Sequence, residues 1–240
     1  MIVRIAKLLH SGKLKPEELD QELLEKTYSE LKKGAKQGWG KDWDKLQKDG
    51  DAIVTEIQNN LYYFSAAKTY QQLLDFNAML VDENGKIRNF TDFRRKVMTV
   101  HETYNQNYLQ AEYQTAKRSS QAARQWQSFL KDADLFPNLE YRTVGDDRVR
   151  DEHQKLEGVI KPINDTFWDT HYPPNGWRCR CSVRQSDATP TKGIPKVTVE
   201  RGFENNVGKT GMVFNPDGHP YFAMDKKQLD KLKKQKPKDE

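Results

Sequence analysis

Two cysteines and two histidines in this chain have the residue types and the spacing that could bind a metal ion. The stretch HYPPNGWRCRCSV, residues 171–183, begins with His171 and contains both cysteines of the 240-residue chain, Cys179 and Cys181. His153 lies a short distance upstream. Zinc in proteins favours a tetrahedral set of nitrogen and sulfur ligands. The pattern therefore predicts a zinc site made by His153, His171, Cys179 and Cys181, with zinc as the implied cofactor.

The spacing of the two cysteines also favours an interpretation without metal. Structural zinc sites usually separate paired cysteines by about two to four residues, whereas a single arginine separates Cys179 from Cys181. On a strand, the period of two would place Cys179, Cys181 and Val183 on one face and the arginines on the other. The thiols would then be small buried groups with His153 as a hydrogen-bonding partner, and no cofactor would be needed.

An acid, several arginines and a histidine precede this stretch and could act together with it. A carboxylate that holds an arginine fork forms strong, directional hydrogen bonds. Such bonds would pin a strand, a short helix and the cysteine segment together in a region that is short of apolar mass. The residues predicted to form this structural polar network are Asp147, Arg148, Arg150, His153 and Arg180.

The same residue types also suit catalysis on a phosphodiester. A histidine can act as a general base, and arginines can clamp a phosphate group. His153, Asn164 and His171 follow the residue order of an HNH nuclease. A metal-dependent nuclease or toxin-like effector centred on His153 and His171 is therefore an alternative to the structural network.

Long helices are predicted for the first two-thirds of the chain. Pro16 suits a first helical turn and Gly34 suits a stop, and the glycine-rich segment 34–50 is expected to form a loop, with or without a helical turn. Apolar residues at helical spacing predict a helix from about Asp51, and residues 82–86, DENGK, indicate a turn. A further helix is expected from about Thr91, either continuing through or breaking near Ser119 and Ser120, before Pro137 closes the helical region.

After Pro137 the sequence pattern changes from helical spacing to strand and turn signals. Residues 139–144 alternate as a strand would, and residues 146–158 resemble a turn followed by a short helix. The double proline with Asn175 and Gly176 predicts a turn, after which the cysteine strand would run. Residues 197–222 are expected to form short strands with glycine turns. The predicted fold class is therefore α+β, a mainly helical region followed by a small α+β module with short antiparallel strands.

The composition narrows the class of protein. Hydrophobic residues make up 35% of the chain and charged residues 31%, with a mean hydropathy of −0.96. These values suit elongated helices and charged assembly surfaces better than a single large core. No apolar run reaches the ~20 residues that span a bilayer, and the first ten residues make a poor secretion signal. We therefore expect a protein of a reducing compartment, without a membrane partner.

The motif around the cysteines resembles a known family. The residues that carry the resemblance run in order from an acid through Arg-Val-Arg, a histidine and a glycine to the double proline and Cys-Arg-Cys. They are Asp147, Arg148, Val149, Arg150, His153, Gly158, Pro173, Pro174, Cys179, Arg180 and Cys181. This pattern is similar to that of phage Mu F-like proteins, also called minor head or head morphogenesis proteins. Many members carry a histidine between the double proline and the cysteines, where this chain has Asn175, Gly176 and Trp177.

The resemblance implies a structural function and no catalytic activity. Members are minor components of the procapsid and virion of tailed phages, associate with the portal protein, and in some cases bind DNA. It therefore implies a location in the virion or in the bacterial host cytoplasm. The implied partners are the portal, other procapsid proteins and non-specific double-stranded DNA, and the implied tasks are head morphogenesis and DNA packaging or delivery. A generic DNA-binding module without the phage role is a further alternative.

Three parts of the chain are expected: a helical arm at 1–136, the Mu F-like α+β module at 137–222 and a flexible lysine-rich tail at 223–240. The net charge of +5 is compatible with a nucleic-acid partner, and lysines can bind phosphates without sequence preference. A solubilising terminus would have the same composition. The lysines predicted to contact nucleic acid are Lys226, Lys227, Lys231, Lys233, Lys234 and Lys236.

Overall fold

The computed structural model describes residues 1–237, so the last three residues of the predicted tail lie outside the described residues. The helices are α1 Ile2–His10, α2 Gln21–Trp39, α3 Trp43–Lys48, α4 Ala52–Ala78, α5 Phe90–Thr103, α6 Gln110–Lys131, α7 Asp151–Gln154, α8 Phe167–His171, α9 Val207–Thr210 and α10 Lys226–Lys233. Short 3-10 turns lie at Pro16–Glu18, Arg201–Phe203 and Pro220–Phe222. The strands are β1 Asn138–Arg142, β2 Ile160–Pro162 and β3 Ser182–Ser186.

Polar caps start the long helices. The side chain of Asp51 accepts a hydrogen bond from the backbone N–H of Val54, which satisfies an amide that the first turn of α4 leaves free. Asp20 and Asn89 cap α2 and α5 in the same way. The helix predicted from about Asp51 is confirmed, and so is the turn predicted at residues 82–86, which Asp82 closes with bonds to two backbone amides.

One long helical path runs from Phe90 to Lys131. A single π-helical segment, Tyr104–Leu109, joins α5 to α6, and its Tyr104 hydroxyl donates to Asp75 of α4 at 2.7 Å. Of the two alternatives left open at Ser119 and Ser120, the continuous helix is the one observed, and both serines are buried in it.

The predicted helix end at Gly34 is wrong, because α2 continues to Trp39. Gly34 and Gly38 lie where α2 crosses α6. A Cβ atom on Gly38 would be 1.9 Å from the carbonyl oxygen of Lys117, and one on Gly34 would be 2.8 Å from that of Tyr113. These glycines allow two helices to approach closely. A contact between distant parts of the chain thus explains glycines that the sequence alone associates with a loop.

The three strands form one antiparallel sheet in the order β2–β1–β3, with β1 in the centre. Tyr141 of β1 is paired with Val183 of β3, and Leu139 is opposite Lys161 of β2. The α+β class is therefore confirmed. The strand predicted over 139–144 is present, but β2 and α8 were not predicted from the sequence. The prediction of short strands at residues 197–222 is wrong, because α9 and two 3-10 turns occupy this stretch in the described structure.

Apolar side chains form three clusters in the described part of the chain. The first joins α2, α4 and α6 to the segment after residue 206, and includes Leu24, Tyr28, Leu31, Leu61, Phe64, Val207, Phe214, Phe222 and Leu232. The second lies under the sheet and includes Trp126, Phe129, Leu139, Tyr141, Phe167, Trp168, Tyr172 and Val183. The third joins α1 to α4 and α5 through Ile2, Ile5, Leu9, Leu73, Phe76, Phe93 and Val97.

The first cluster draws on all three parts into which the sequence divides the chain, so the division stays a prediction. Part of the tail that we expected to be flexible forms α10. Its Leu232 is fully buried, and its Leu229 packs against the same cluster. Because these two leucines are three residues apart, they share one helix face, which docks while the lysines face outward.

Candidate functional site: a cysteine–histidine cluster beside an arginine-lined cavity

The structure brings His153, Cys179 and Cys181 together. His153 is on α7, and its Nδ1 atom lies 3.7 Å from Cys179 Sγ and 3.6 Å from Cys181 Sγ. The three possible ligand atoms all lie within 4.8 Å of one another. His153 and Cys179 are buried, and Cys181 is half-buried. Three of the four predicted zinc ligands therefore converge.

The fourth predicted ligand, His171, lies outside this cluster. It ends α8, where its ring stacks on that of Phe167 with centroids 4.6 Å apart and its Nδ1 lies 2.7 Å from the hydroxyl of Thr170. Burial lowers the pKa of His171. The four-ligand set and the paired histidines of the nuclease alternative are thus not assembled in the described residues.

A turn, and not a strand, positions the two sulfurs. The N–H of Cys179 donates to the carbonyl of Gly176 at 3.1 Å, and Arg178 adopts a left-handed conformation with φ 59°. The guanidinium of Arg118 on α6 donates to the carbonyl of Cys179. Strand β3 begins only at Ser182, so the prediction of an extended strand through both cysteines is wrong. The turn nevertheless directs both thiols to one side.

The two thiols titrate as a pair. A hydrogen bond from the Cys181 thiol lowers the pKa of Cys179, and the His153 side chain and neighbouring backbone amides act in the same direction. The sulfur of Cys179 in turn raises the pKa of Cys181, as does burial. The arrangement therefore favours a thiolate at Cys179 and a protonated thiol at Cys181 when no metal is bound.

The predicted acid–arginine network has a different acid from the one expected. Both guanidinium nitrogens of Arg180 donate to the carboxylate of Asp146, at 2.6 Å each. This fork lowers the pKa of Asp146 to about 2. Arg148 lies 3.6 Å from the same carboxylate, whereas Asp147 is exposed and lies outside this pair. The acid that holds Arg180 is thus Asp146, the neighbour of the Asp147 named for the predicted network.

Arg150 contacts the double-proline turn and not a carboxylate. Its guanidinium donates to the carbonyl of Trp177 at 2.5 Å, which links the start of α7 to the segment that carries the cysteines. Tyr141 of β1 supports the same turn, because its hydroxyl donates to the side chain of Asn175 at 2.9 Å. The predicted network residues therefore lie around one turn but act through separate contacts.

A cavity of about 600 Å³ opens next to the cysteine–histidine cluster. All three cluster residues line it, together with Arg118, Arg148, Arg150, Arg178 and Arg180. The lining residues that the structure describes include no aspartate or glutamate. Guanidinium groups bind anions through planar donor pairs. The cavity thus combines soft metal ligands with a positively charged wall.

A buried ion pair that the sequence analysis did not identify lies on the other side of the same turn. The ammonium of Lys68 on α4 donates to the carboxylate of Glu112 on α6, and both are almost fully buried. Glu112 also accepts a hydrogen bond from the hydroxyl of Tyr221 at 3.1 Å. Burial lowers the pKa of Lys68 and raises that of Glu112. A lysine inside the otherwise apolar or small-residue run FSAAKTY was the available signal.

The lysines proposed for nucleic acid are all exposed on or just after α10. Lys231 also donates to the backbone carbonyl of Glu17, which ties α10 to the 3-10 turn before α2. Asp225 precedes the series of positive charges and Asp230 interrupts it. Separately, none of the helices in residues 1–237 has the length and apolar character needed to span a bilayer.

Comparison with known proteins finds one family whose model matches a large part of this region. Residues 82–184, from the turn before α5 into β3, match the family described as phage Mu protein F like protein. The putative capsid assembly protein F of Escherichia phage Mu is 41% identical over 82 residues, which cover 34% of this chain and 19% of that protein. The Mu-like prophage FluMu F protein of Haemophilus influenzae is 38% identical over 69 residues, 29% of this chain and 17% of that protein.

These alignments span less than a fifth of the length of either relative. No solved structure matches the chain. Both the cysteine–histidine cluster and the Asp146–Arg180 pair fall inside the matched residues.

Proposed function

Because residues 82–184 belong to the phage Mu protein F-like family, we propose that this chain is a structural minor head protein of a tailed phage or prophage. Its task is to assist capsid assembly, and its place is the phage head. The observation that carries the proposal is the match itself. It spans α5, α6 and the sheet module, and includes the groups that hold that module together.

The contacts at the motif support a structural task. Arg180 is committed to Asp146, Arg150 to the carbonyl of Trp177, and Arg118 to the carbonyl of Cys179. Each of these bonds ties one element to another within the matched segment. His153 and His171 have different surroundings, so we assign them no joint catalytic role and propose no enzymatic activity.

The proposed partners are the portal protein and other procapsid proteins encoded by the same phage or prophage. The name of the phage Mu relative refers to capsid assembly, and we extend that role to this chain as a proposal. Charged residues make up 31% of the chain, which suits an assembly surface.

A deletion and a binding assay test this proposal. Deletion of the gene from an inducible phage should reduce the number of DNA-filled heads and infectious particles, and a plasmid copy should restore both. A tagged chain co-expressed with the portal protein of the same genome should co-elute with it on size exclusion. Normal infectious particles from the deletion strain would refute the head function. Separate elution would refute only the portal contact.

We further propose that the lysines of α10 contact packaged DNA without sequence preference. A series of exposed lysines on one short segment supports this, since phosphate contacts by lysine release counterions and make binding strongly dependent on salt. Replacing Lys226, Lys227, Lys231, Lys233, Lys234 and Lys236 by glutamine should weaken binding to duplex DNA and flatten its salt dependence. A variant with glutamine at six lysines outside α10 is the matched control. Equal binding by both variants would refute the contact.

A further inference from the structure

The geometry of the cysteine–histidine cluster points to a metal site that goes beyond the proposed head function. We infer that His153 Nδ1, Cys179 Sγ and Cys181 Sγ bind one zinc ion, and that the fourth coordination position opens into the arginine-lined cavity. The inference concerns three side chains on two separate elements that the fold brings within 4.8 Å of one another.

The two sulfur–nitrogen distances fit tetrahedral zinc. With zinc–sulfur and zinc–nitrogen bonds of about 2.3 and 2.0–2.1 Å, a tetrahedral angle separates a sulfur from a nitrogen ligand by about 3.6 Å. The two sulfur–nitrogen distances in the structure are 3.7 and 3.6 Å. A metal could therefore occupy the space between the imidazole nitrogen and the two sulfurs, which lie within 4.8 Å of each other.

The donor types favour zinc over the hard cations magnesium and calcium. Two thiols and an imidazole are soft or intermediate ligands, whereas magnesium and calcium require oxygen ligands. Zinc tolerates this set in a tetrahedral arrangement and has no redox chemistry of its own. The cysteines are both free in the structure, so no disulfide competes for the sulfurs.

The objection raised by the short cysteine spacing no longer applies. On a regular strand one intervening residue would keep two sulfurs apart, but the segment from Cys179 to Cys181 follows a turn at residues 176–179 and precedes β3, which begins at Ser182. Arg118 holds that turn from α6. Both thiols approach the same imidazole nitrogen, at 3.7 and 3.6 Å, which is the arrangement that a chelating pair requires.

The fourth position is supplied from the cavity and not by the protein. The cluster contains three ligand residues among residues 1–237, and His171 is stacked on Phe167 elsewhere. All three ligand residues line the cavity together with five arginines, of which Arg180 is paired with Asp146. A water molecule or a small anion such as chloride would therefore complete the coordination.

Zinc at this position would join α7 to the turn before β3. In the described structure this connection otherwise depends on the contact of Arg150 with the Trp177 carbonyl and on the sulfur–imidazole contacts themselves. Binding would thus stabilise the module, because a ligand that binds only the folded state adds its binding free energy to folding.

The test uses the full chain, purified, stripped of metal and then titrated with zinc and with cobalt. Elemental analysis should give one zinc per chain, and cobalt should produce the absorption of a thiolate-bound ion. Changing a residue that only supports a ligand costs about 10–100-fold in affinity, so C179S, C181S and H153A should each lose more than about 100-fold. H171A is the matched control and should bind as the wild type does.

Thiol reactivity provides a measurement that does not depend on variants that fold poorly. In the wild-type chain, zinc should slow the modification of both cysteines by a thiol reagent, and a chelator should restore the rate. The inference is overturned if the wild type retains no zinc and gives no cobalt–thiolate absorption, if zinc leaves the thiols unprotected, or if H171A loses the ion. None of these outcomes would bear on the head function, which the gene deletion tests separately.

Discussion

At the scale of single residues, burial decides the protonation state of His219. Its ring lies 4.9 Å from that of Phe64 and 5.6 Å from that of Trp177, and its Nδ1 accepts the N–H of Tyr221 at 3.2 Å. Burial lowers the pKa of His219 to about 4, and the positive charge of Lys68 adds to the effect. Protonation would place a positive charge among apolar rings, and a protonated Nδ1 could no longer accept the hydrogen bond from Tyr221.

This residue should make folding sensitive to mild acid. In the unfolded chain a histidine has a pKa near ~6.5, so between about pH 6.5 and 4 the unfolded state binds a proton that the folded state excludes. The stabilising contribution is therefore complete above ~6.5 and is lost as the pH falls towards about 4. By linkage it should fall by about 2 kcal/mol between pH 8 and pH 5.

Urea unfolding of the wild type and H219N at these two pH values measures this effect. Asparagine keeps a side-chain acceptor for the Tyr221 amide and removes the titration. The wild type should lose about 2 kcal/mol more free energy of unfolding than H219N does. The same pH dependence in both proteins would show that His219 does not control it.

At the scale of elements, the contact between α2 and α6 depends on glycine. In an exposed helix, replacing glycine by alanine stabilises by about 1 kcal/mol, because alanine restricts the unfolded backbone and favours the helix. At Gly38 the new methyl group would overlap the carbonyl group of Lys117 on α6. Backbone atoms of a packed helix cannot move aside as a flexible side chain can.

Gly38→Ala should therefore destabilise the chain by about 2 kcal/mol or more, reversing the usual sign. S29A, at an exposed position of the same helix, is the control and should change the stability by less than about 0.5 kcal/mol. Thermal unfolding followed by circular dichroism measures both. A stability gain in Gly38→Ala would mean that the two helices are not in this close contact.

At the scale of the whole molecule, the segment after residue 200 returns to the helices and closes the first apolar cluster. Phe214 stacks on Phe64 of α4 with ring centroids 3.8 Å apart. Asn60 of α4 fixes this segment, since its Oδ1 accepts the N–H groups of Val213 and Phe214 and its Nδ2 donates to the carbonyl of Phe214. One side chain thus replaces the backbone pairing that an irregular segment lacks.

Asn60→Ala should release this segment without melting the rest. Loss of a side chain that satisfies buried backbone groups costs about 1–3 kcal/mol. Hydrogen exchange should therefore speed up at residues 207–222, while α1 and α5, which pack in the third cluster, keep their protection. N59A, at the neighbouring half-buried position, is the control. Equal exchange of residues 207–222 in N60A and the wild type would rule out this anchoring role.

Local patterns were sufficient to predict several elements. Apolar spacing and the cap at Asp51 specify α4, and the residues of the turn at 82–86 specify their own conformation through short-range bonds. The alternation over 139–144 specifies β1, and the motif from Asp147 to Cys181 carries the resemblance to the family whose model matches residues 82–184. These features depend on interactions between residues that are near one another in sequence, or on residue types that any reader of the chain can recognise.

Contacts between distant residues decided the rest. In the sequence Gly34 and Gly38 indicate a loop, but in the fold they lie in a helix against α6. The residues between 197 and 222 are held by α4 and α6 instead of by strand neighbours. Asp146 and not Asp147 pairs with Arg180. Both cysteines lie against His153, while His171 packs on Phe167. Neither the approach of two helices nor the direction of a side chain is encoded in local spacing, because each depends on which surfaces come together when the chain folds.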